Sequence, residues 1–264
     1  MRDGSVTALR KRAARDATAL RLIALAPPAV ILFLRAPGTA WPHALAVVTA
    51  ALACALIFAE LRGRGPIFEV LVPALLMVLF APPEAAPWQL ALALSLALVL
   101  GALVFGGAGF GFLSTGALAL ALLAFSFPPL AAVVPETPVL WAALPGGALL
   151  LLAGLAPWRV VLAGAAGFAL ATGAGGSGFA QGAPLAVLLV YFAADPFGAP
   201  VTGPGQWLSG LMVGGLIALL GAAGGPGFDM SAGVFAVLLA GLFAPLIDAG
   251  VIAVADWREG VSHG

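Results

Sequence analysis

From Ala85 to Pro135 the chain carries no Lys, Arg, Asp or Glu. A water-soluble domain does not leave so long a stretch uncharged, because about a quarter of its residues carry charge. The whole sequence agrees, with 62% hydrophobic residues, 8% charged residues and a mean hydropathy of +1.14. Lipid is therefore the solvent, and a backbone in lipid must satisfy its own hydrogen bonds, which favours helices. A hydrocarbon core of about 30 Å takes roughly 20 residues per crossing. The run from Ala85 to Pro135 is too long for one helix, and Gly106-Gly107 is its natural break.

Cutting elsewhere at charges and at Pro/Gly clusters predicts ten spans. They cover 18–35, 41–60, 67–82, 88–105, 115–134, 139–156, 158–174, 181–196, 206–223 and 231–248. The 35 glycines and 21 prolines are too many for ten plain rods and imply interrupted helices. Basic residues orient the set. Arg2, Arg10, Lys11, Arg12, Arg15 and Arg21 precede or open the first span, which makes the N-terminus cytoplasmic. Even numbers of crossings return Arg62, Arg64, Arg159 and Arg258 to the same side, and only Arg35 falls outside the pattern. The N-terminus lacks a small-residue cleavage site after its basic run, so it is not expected to be a cleaved signal. The expectation is a multi-pass protein of the cell inner (plasma) membrane with both termini cytoplasmic.

Several chemistries are not expected. The single cysteine, Cys54, excludes an internal disulfide and a cluster held by this chain alone. His43 and His263 lie far apart, so no metal site is expected. No Walker motif or nucleophile triad occurs, and nothing points to nucleic acid.

The chain also repeats itself. Gly106-Gly107-Ala108-Gly109-Phe110 precedes the fifth span, and Gly224-Gly225-Pro226-Gly227-Phe228 precedes the tenth. Each follows a long apolar segment, which itself follows a proline break at Ala81-Pro82-Pro83 or Asp195-Pro196. Five spans separate the copies, so they run in opposite directions. The fold class is an all-α integral membrane protein of about ten transmembrane helices, in two inverted-topology repeats of five with interrupted helices. The expected organisation is a basic tail (1–17), a first repeat (18–134), a second repeat (135–248) and an interfacial tail (249–264). Inverted repeats of this kind place a binding site near the midplane, where broken helices expose backbone groups. A tight glycine turn between helices would leave the same residues.

The residues from Tyr191 to Asp248 resemble a known family. They include Ala194-Asp195-Pro196-Phe197-Gly198-Ala199-Pro200-Val201-Thr202 and Ala244-Pro245-Leu246-Ile247-Asp248. Val104-Phe105-Gly106-Gly107 and Ser126-Phe127-Pro128 add matching segments in the first half. Together they are similar to RnfD, a membrane component of Rnf electron-transport complexes, and to NqrB, a membrane component of the sodium-pumping NADH:quinone reductase. The resemblance covers roughly Glu69 to Asp248. It implies a flavoprotein with a urea-transporter-like fold, working beside other membrane subunits of a redox complex. It also implies FMN held through a phosphoester to the threonine of an extracytoplasmic motif. Here the corresponding stretch is Glu136-Thr137-Pro138-Val139-Leu140, and Val134-Pro135-Glu136 stands where relatives have Ser-Gly-Ala. Thr137 follows five crossings and is predicted on the outer side. Two readings of it stand open, flavin carrier or helix cap.

Candidate cofactor contacts are thus Thr137, Gly106, Gly107, Asp195, Pro196 and Thr202. Asp195 and Glu69 are the candidates for an ion or proton, because a carboxylate at membrane depth must pair, protonate or face a polar cavity. Asp195 has an alternative as an interfacial cap, and Glu69 as a headgroup-level residue. Tyr191, four residues before Asp195, would share its helical face. Asp229 and Asp248 suit caps. The six tryptophans sit near span ends as an interfacial belt. The function expected first is a membrane subunit of an electron-transfer complex that binds or supports flavin and couples electron flow to ion transport, without completing catalysis alone. The alternatives are a small-solute channel or transporter, or a scaffold that has lost the flavin.

Overall fold

The computed structural model describes residues 2–62, 68–104, 113–173, 178–196, 198–222 and 228–262, with side chains over 15–61, 68–104, 113–173, 181–196, 198–222 and 228–257. Ten helices follow in order: α1 (Arg2–Arg35), α2 (Pro37–Arg62), α3 (Leu71–Phe80), α4 (Pro87–Leu98), α5 (Thr115–Ser126), α6 (Thr137–Leu152), α7 (Trp158–Thr172), α8 (Gly178–Leu188), α9 (Gly203–Gly221) and α10 (Met230–Ser262). Helices α4 and α8 each run on into a π-helical turn, Val99–Leu103 and Leu189–Ala193. No strand occurs among the described residues. Each predicted span holds one helix. The glycine motifs around Gly106-Gly107 and Gly224-Gly225 lie outside the described residues.

Lengths differ from a uniform set of crossings. Four segments are long and apolar enough to span a bilayer: Arg15–Arg35, Pro37–Leu61, Gly203–Gly221 and Met230–Trp257. Helix α3 has 10 residues, and at about 1.5 Å per residue it reaches halfway. The fifth span was expected to run helically to 134, but α5 stops at Ser126. Pro128 and Pro129 cannot continue the helix, and the chain turns there through Leu130 N–H to Phe127 O (2.7 Å). The irregular segment that follows passes the end of α3, where Val133 N–H donates to Phe80 O (3.0 Å). Both tails are helical. No glycine or proline interrupts Ser5 to Ala26, so α1 runs through the basic residues. Helix α10 likewise continues past Asp248 to Ser262.

Packing repeats between the halves. Helix α2 lies on α4 as α7 lies on α9, α4 on α5 as α9 on α10, and α1 on α3 as α6 on α8. Helix α1 meets α6, and α5 meets α10, across the join. These are the neighbours that a duplication relating α1–α5 to α6–α10 requires. The molecule is a multi-pass membrane protein. Its large apolar residues cover the outside, with Leu34, Leu61, Phe125, Leu152 and Leu170 all strongly exposed. Such a surface would aggregate in water and is suited to lipid.

The second half is fastened by glycine. A Cβ at Gly214 on α9 would strike the Gly164 carbonyl oxygen of α7, and one at Gly167 would strike the Leu211 carbonyl. A Cβ at Gly210 would meet the Val160 carbonyl oxygen and the Ala163 side chain. Helices α7 and α9 therefore touch backbone to backbone, the use that small residues serve between helices in lipid.

Candidate functional site

The site begins with a missing hydrogen-bond donor. Pro28 has no N–H, so the Ala24 carbonyl one turn earlier in α1 loses its helical partner. The buried Tyr191 hydroxyl lies 3.2 Å from that oxygen and 2.8 Å from the Ala143 carbonyl of α6, and its single O–H is shared between them. Gly146 makes the approach possible, since a Cβ there would collide with the Ala24 carbonyl and crowd the Tyr191 hydroxyl. Helices α1, α6 and α8 are thus joined at one point by Pro28, Gly146 and Tyr191.

Helices α3 and α8 meet beside that point. Phe80, the last residue of α3, packs edge-on against Phe192, with ring centroids 5.1 Å apart. Phe192 lies in the π turn, where Ala194 N–H reaches back five residues to Leu189 O (2.7 Å). The wider turn changes the simple four-residue spacing expected between Tyr191 and Asp195, though both still border one cavity. Such turns are frequent at functional positions in helices.

Two small cavities flank the crossing. One, of about 20 Å³, is lined by residues that include Arg21, Val72, Leu76, Tyr191 and Asp195. The other, of about 10 Å³, is lined by apolar side chains that include Pro28, Phe80, Pro135 and Val139, together with Tyr191. Leu25 and Tyr191 border both. Each has room for about one water.

Arg21 Nη2 donates to Asp195 Oδ1 at 2.8 Å, with both side chains largely buried at 16% and 13% exposure. Asp195 therefore pairs, one of the outcomes open to a carboxylate at this depth. The same residue starts a turn, because its carbonyl accepts from Gly198 N–H (2.9 Å) and Ala199 N–H (3.0 Å). Pro196 is exposed in that turn. Arg21 is a member of the site rather than of a free basic tail. Sequence showed its charge but not a partner 174 residues away.

Thr202 and Asp248 form a second polar cluster. The Asp248 carboxylate of α10 accepts from Val201 N–H (2.8 Å), Thr202 N–H (3.1 Å) and the Thr202 hydroxyl. Thr202 also caps α9, where its Oγ1 accepts from Gly205 N–H (3.2 Å). Its hydroxyl is thus engaged within the chain. Asp229 caps α10 by accepting from Ala232 N–H (3.0 Å). Glu69 sits half-buried in the turn before α3, three residues ahead of the cavity-lining Val72, whose N–H it binds through its carbonyl (3.4 Å).

Thr137 lies at the other end of the bundle. It is exposed, and it is the first residue of α6, with Glu136 in the capping position and Pro138 next. Arg35, the one basic residue outside the orientation pattern, reaches Glu136 at 3.6 Å. Both side chains are exposed, so the pair adds at most about 1 kcal/mol. It does join the end of the first helix to the start of the sixth, as one crossing and five crossings require. His43 Nε2 reaches the Ala85 carbonyl at 2.7 Å and ties α2 to the α3–α4 break, which gives that buried histidine a structural role. No cluster of metal-ligating residues occurs among the described residues.

FMN can be tested against this geometry. Thr137 offers an accessible hydroxyl at a helix N-terminus, a favourable position for a phosphate, and the adjacent Glu136 carboxylate is offset by Arg35. The residues fit the linkage. The cavity beneath Pro135 and Val139 holds about 10 Å³, so the flavin ring would lie outside the packed core.

A helical membrane protein whose two halves share one packing scheme, joined where broken helices meet, defines a duplicated membrane protein. The chain belongs to the NQR2, RnfD, RnfE family, whose profile matches residues 5–135 and again 131–254. Among curated proteins it is 29% identical to the NqrB component of the Na(+)-translocating NADH-quinone reductase of Pseudomonas aeruginosa, over 79% of this chain and 66% of that protein. Its counterparts from Ectopseudomonas mendocina and Azotobacter vinelandii are 28% and 26% identical to this chain, each over 75% of this chain and 63% of their own length. The chain thus spans just under two thirds of the length of these relatives.

Proposed function

We propose that the chain is a membrane subunit of a multi-subunit electron-transfer complex that couples electron flow to ion movement. It would sit in the bacterial inner membrane among other membrane subunits, with both termini cytoplasmic. The observation that carries this reading is the convergence of the two broken spans beside a buried ion pair. A cation or proton crossing the protein would pass Asp195, with Arg21 as its exchangeable counter-charge. Phe80, Phe192 and Tyr191 close the way to water beyond it. Glu69, one turn ahead of Val72, would help draw the ion to the cavity. The relatives' printed name supports sodium as the ion and NADH and quinone as the redox partners of the whole complex.

FMN belongs to the same proposal. Thr137 would hold its phosphate by an ester, α6 would supply the positive end of its dipole, and Arg35 would keep the adjacent Glu136 carboxylate paired. Bound FMN would supply one- and two-electron carriage, which no side chain described here provides. In-gel fluorescence of the denatured chain is expected to show covalent flavin, and Thr137→Ala is expected to abolish it. A dark wild-type band would overturn the flavin assignment.

A second reading, a scaffold subunit without flavin, is favoured by the water-sized cavity below Pro135. It predicts a dark band from a chain that still copurifies with redox subunits. Failure to copurify would remove both readings.

A further inference from the structure

We infer that the groove between the first turns of α7 and α9 binds an anionic phospholipid, with the headgroup phosphate on Arg159 and an acyl chain along Trp207, Leu208 and Leu211. The groove has a volume of about 580 Å³ and is lined by Arg159, Gly203, Pro204, Trp207, Leu208 and Leu211. It is apolar except at one end, and that end is a guanidinium.

Arg159 differs from the other half-buried arginine. Arg21 is neutralised by Asp195, whereas among the described residues no carboxylate lies within 4 Å of Arg159. Its nearest favourable neighbour is the ring of Trp158, 5.6 Å from the guanidinium carbon. A partly desolvated cation that lacks an internal partner favours an anion from outside. Gly203 lets it lie where it does, because a Cβ there would come within 2.9 Å of Arg159 Nη1.

The surroundings select an amphiphile. Trp158 and Trp207 pack edge-on with centroids 5.8 Å apart and wall the charged end, at the headgroup level that tryptophan favours. Leu208 and Leu211 are exposed beyond them. A small free anion gains nothing from those leucines, and an apolar peptide gains nothing from the guanidinium. A phospholipid uses both. Basic pockets between membrane helices bind anionic headgroups in this way. The groove shares no lining residue with the two cavities at the Tyr191–Asp195 crossing, so its occupancy does not depend on the ion or flavin assignments.

Native mass spectrometry of the full chain, purified in mild detergent and stripped of lipid, tests the site. Phosphatidylglycerol is expected to bind about fivefold more tightly than phosphatidylcholine of the same chain length, the effect of one basic residue at an anionic surface. Arg159→Gln should erase that preference, and Arg159→Lys should keep most of it. Leu208→Trp fills the groove without removing the charge and should weaken both lipids. Glycerol phosphate, which has the anion without chains, should not displace phosphatidylglycerol. The inference fails if Arg159→Gln leaves the preference intact, if Leu208→Trp leaves both affinities unchanged, or if glycerol phosphate competes at equal concentration. Arg159 makes no ion pair among the described residues, and Leu208 is exposed. Unchanged melting temperatures should therefore accompany both glutamine and tryptophan variants.

Discussion

Gly214→Ala should unseat α9 from α7 and lower the melting temperature of the detergent-solubilised protein sharply. The added methyl would occupy the position of the Gly164 carbonyl oxygen and crowd the Phe168 backbone nitrogen. Backbone atoms cannot rotate away as a side chain can, so the helices must separate along their whole contact. Overpacking of a core costs about 1–3 kcal/mol, and this position should reach the top of that range. The neighbouring residue supplies the control. A Cβ at Gly215 meets nothing within 4 Å, so Gly215→Ala should be neutral or stabilise by up to about 1 kcal/mol through helix propensity. Equal losses from the two substitutions would contradict the glycine contact described for α7 and α9.

Arg21→Gln should be the second large effect. It leaves the Asp195 carboxylate in its cavity without the guanidinium 2.8 Å away. Breaking a buried pair from one side costs about 3–5 kcal/mol, and the slight remaining exposure of both groups argues for the lower end. Asp195→Asn removes the carboxylate that faces Arg21 and should cost a similar amount. The double variant Arg21→Met, Asp195→Leu removes both charges and should recover most of the loss, because hydrophobic replacement of a buried pair is often neutral. A thermal double-mutant cycle reads the coupling directly. Additive losses in the double variant would mean that the pair contributes nothing as a pair. Under the proposed function, the same single variants would also alter ion coupling, since each changes the charge beside the proposed path.

Much of the architecture was legible because apolar runs of membrane length have few alternative solutions. Ten segments separated by charges and Pro/Gly breaks became ten helices, and the basic residues predicted their parity. The Arg35–Glu136 contact agrees with that parity, joining two ends that odd numbers of crossings bring together. Hydropathy was silent where lipid and protein look alike. The residues from Phe127 to Pro135 are as apolar as a span, yet they run irregularly past the end of α3. The signal was Pro128-Pro129, which forbids helix whatever the polarity.

The site was half legible. Asp195 stood out as a lone acid beside a proline, but its partner lies in the first helix and no local pattern joins them. The Tyr191 contact was also hidden, although its cause is written at Pro28, which strips Ala24 of a donor. Gly210 and Gly214 form a small-xxx-small pair that marks a close helix contact, a quieter signal than the GGxGF turns. Thr202 resembled a cofactor residue. Its hydroxyl is bonded to Asp248, and only the fold of α10 against α9 brings those residues together.

Among the described glycines, none brings α2 and α4 together as Gly167, Gly210 and Gly214 bring together α7 and α9. Helices α2 and α4 touch, and they bury side chains such as Val47, Leu90 and Leu94. Helices α7 and α9 have bare backbone at their closest points and nothing there to rearrange. A duplicated protein can therefore be symmetrical in plan and yet meet substitution differently in its two halves. An added methyl at the α7–α9 seam has main chain in its way and must push whole helices apart.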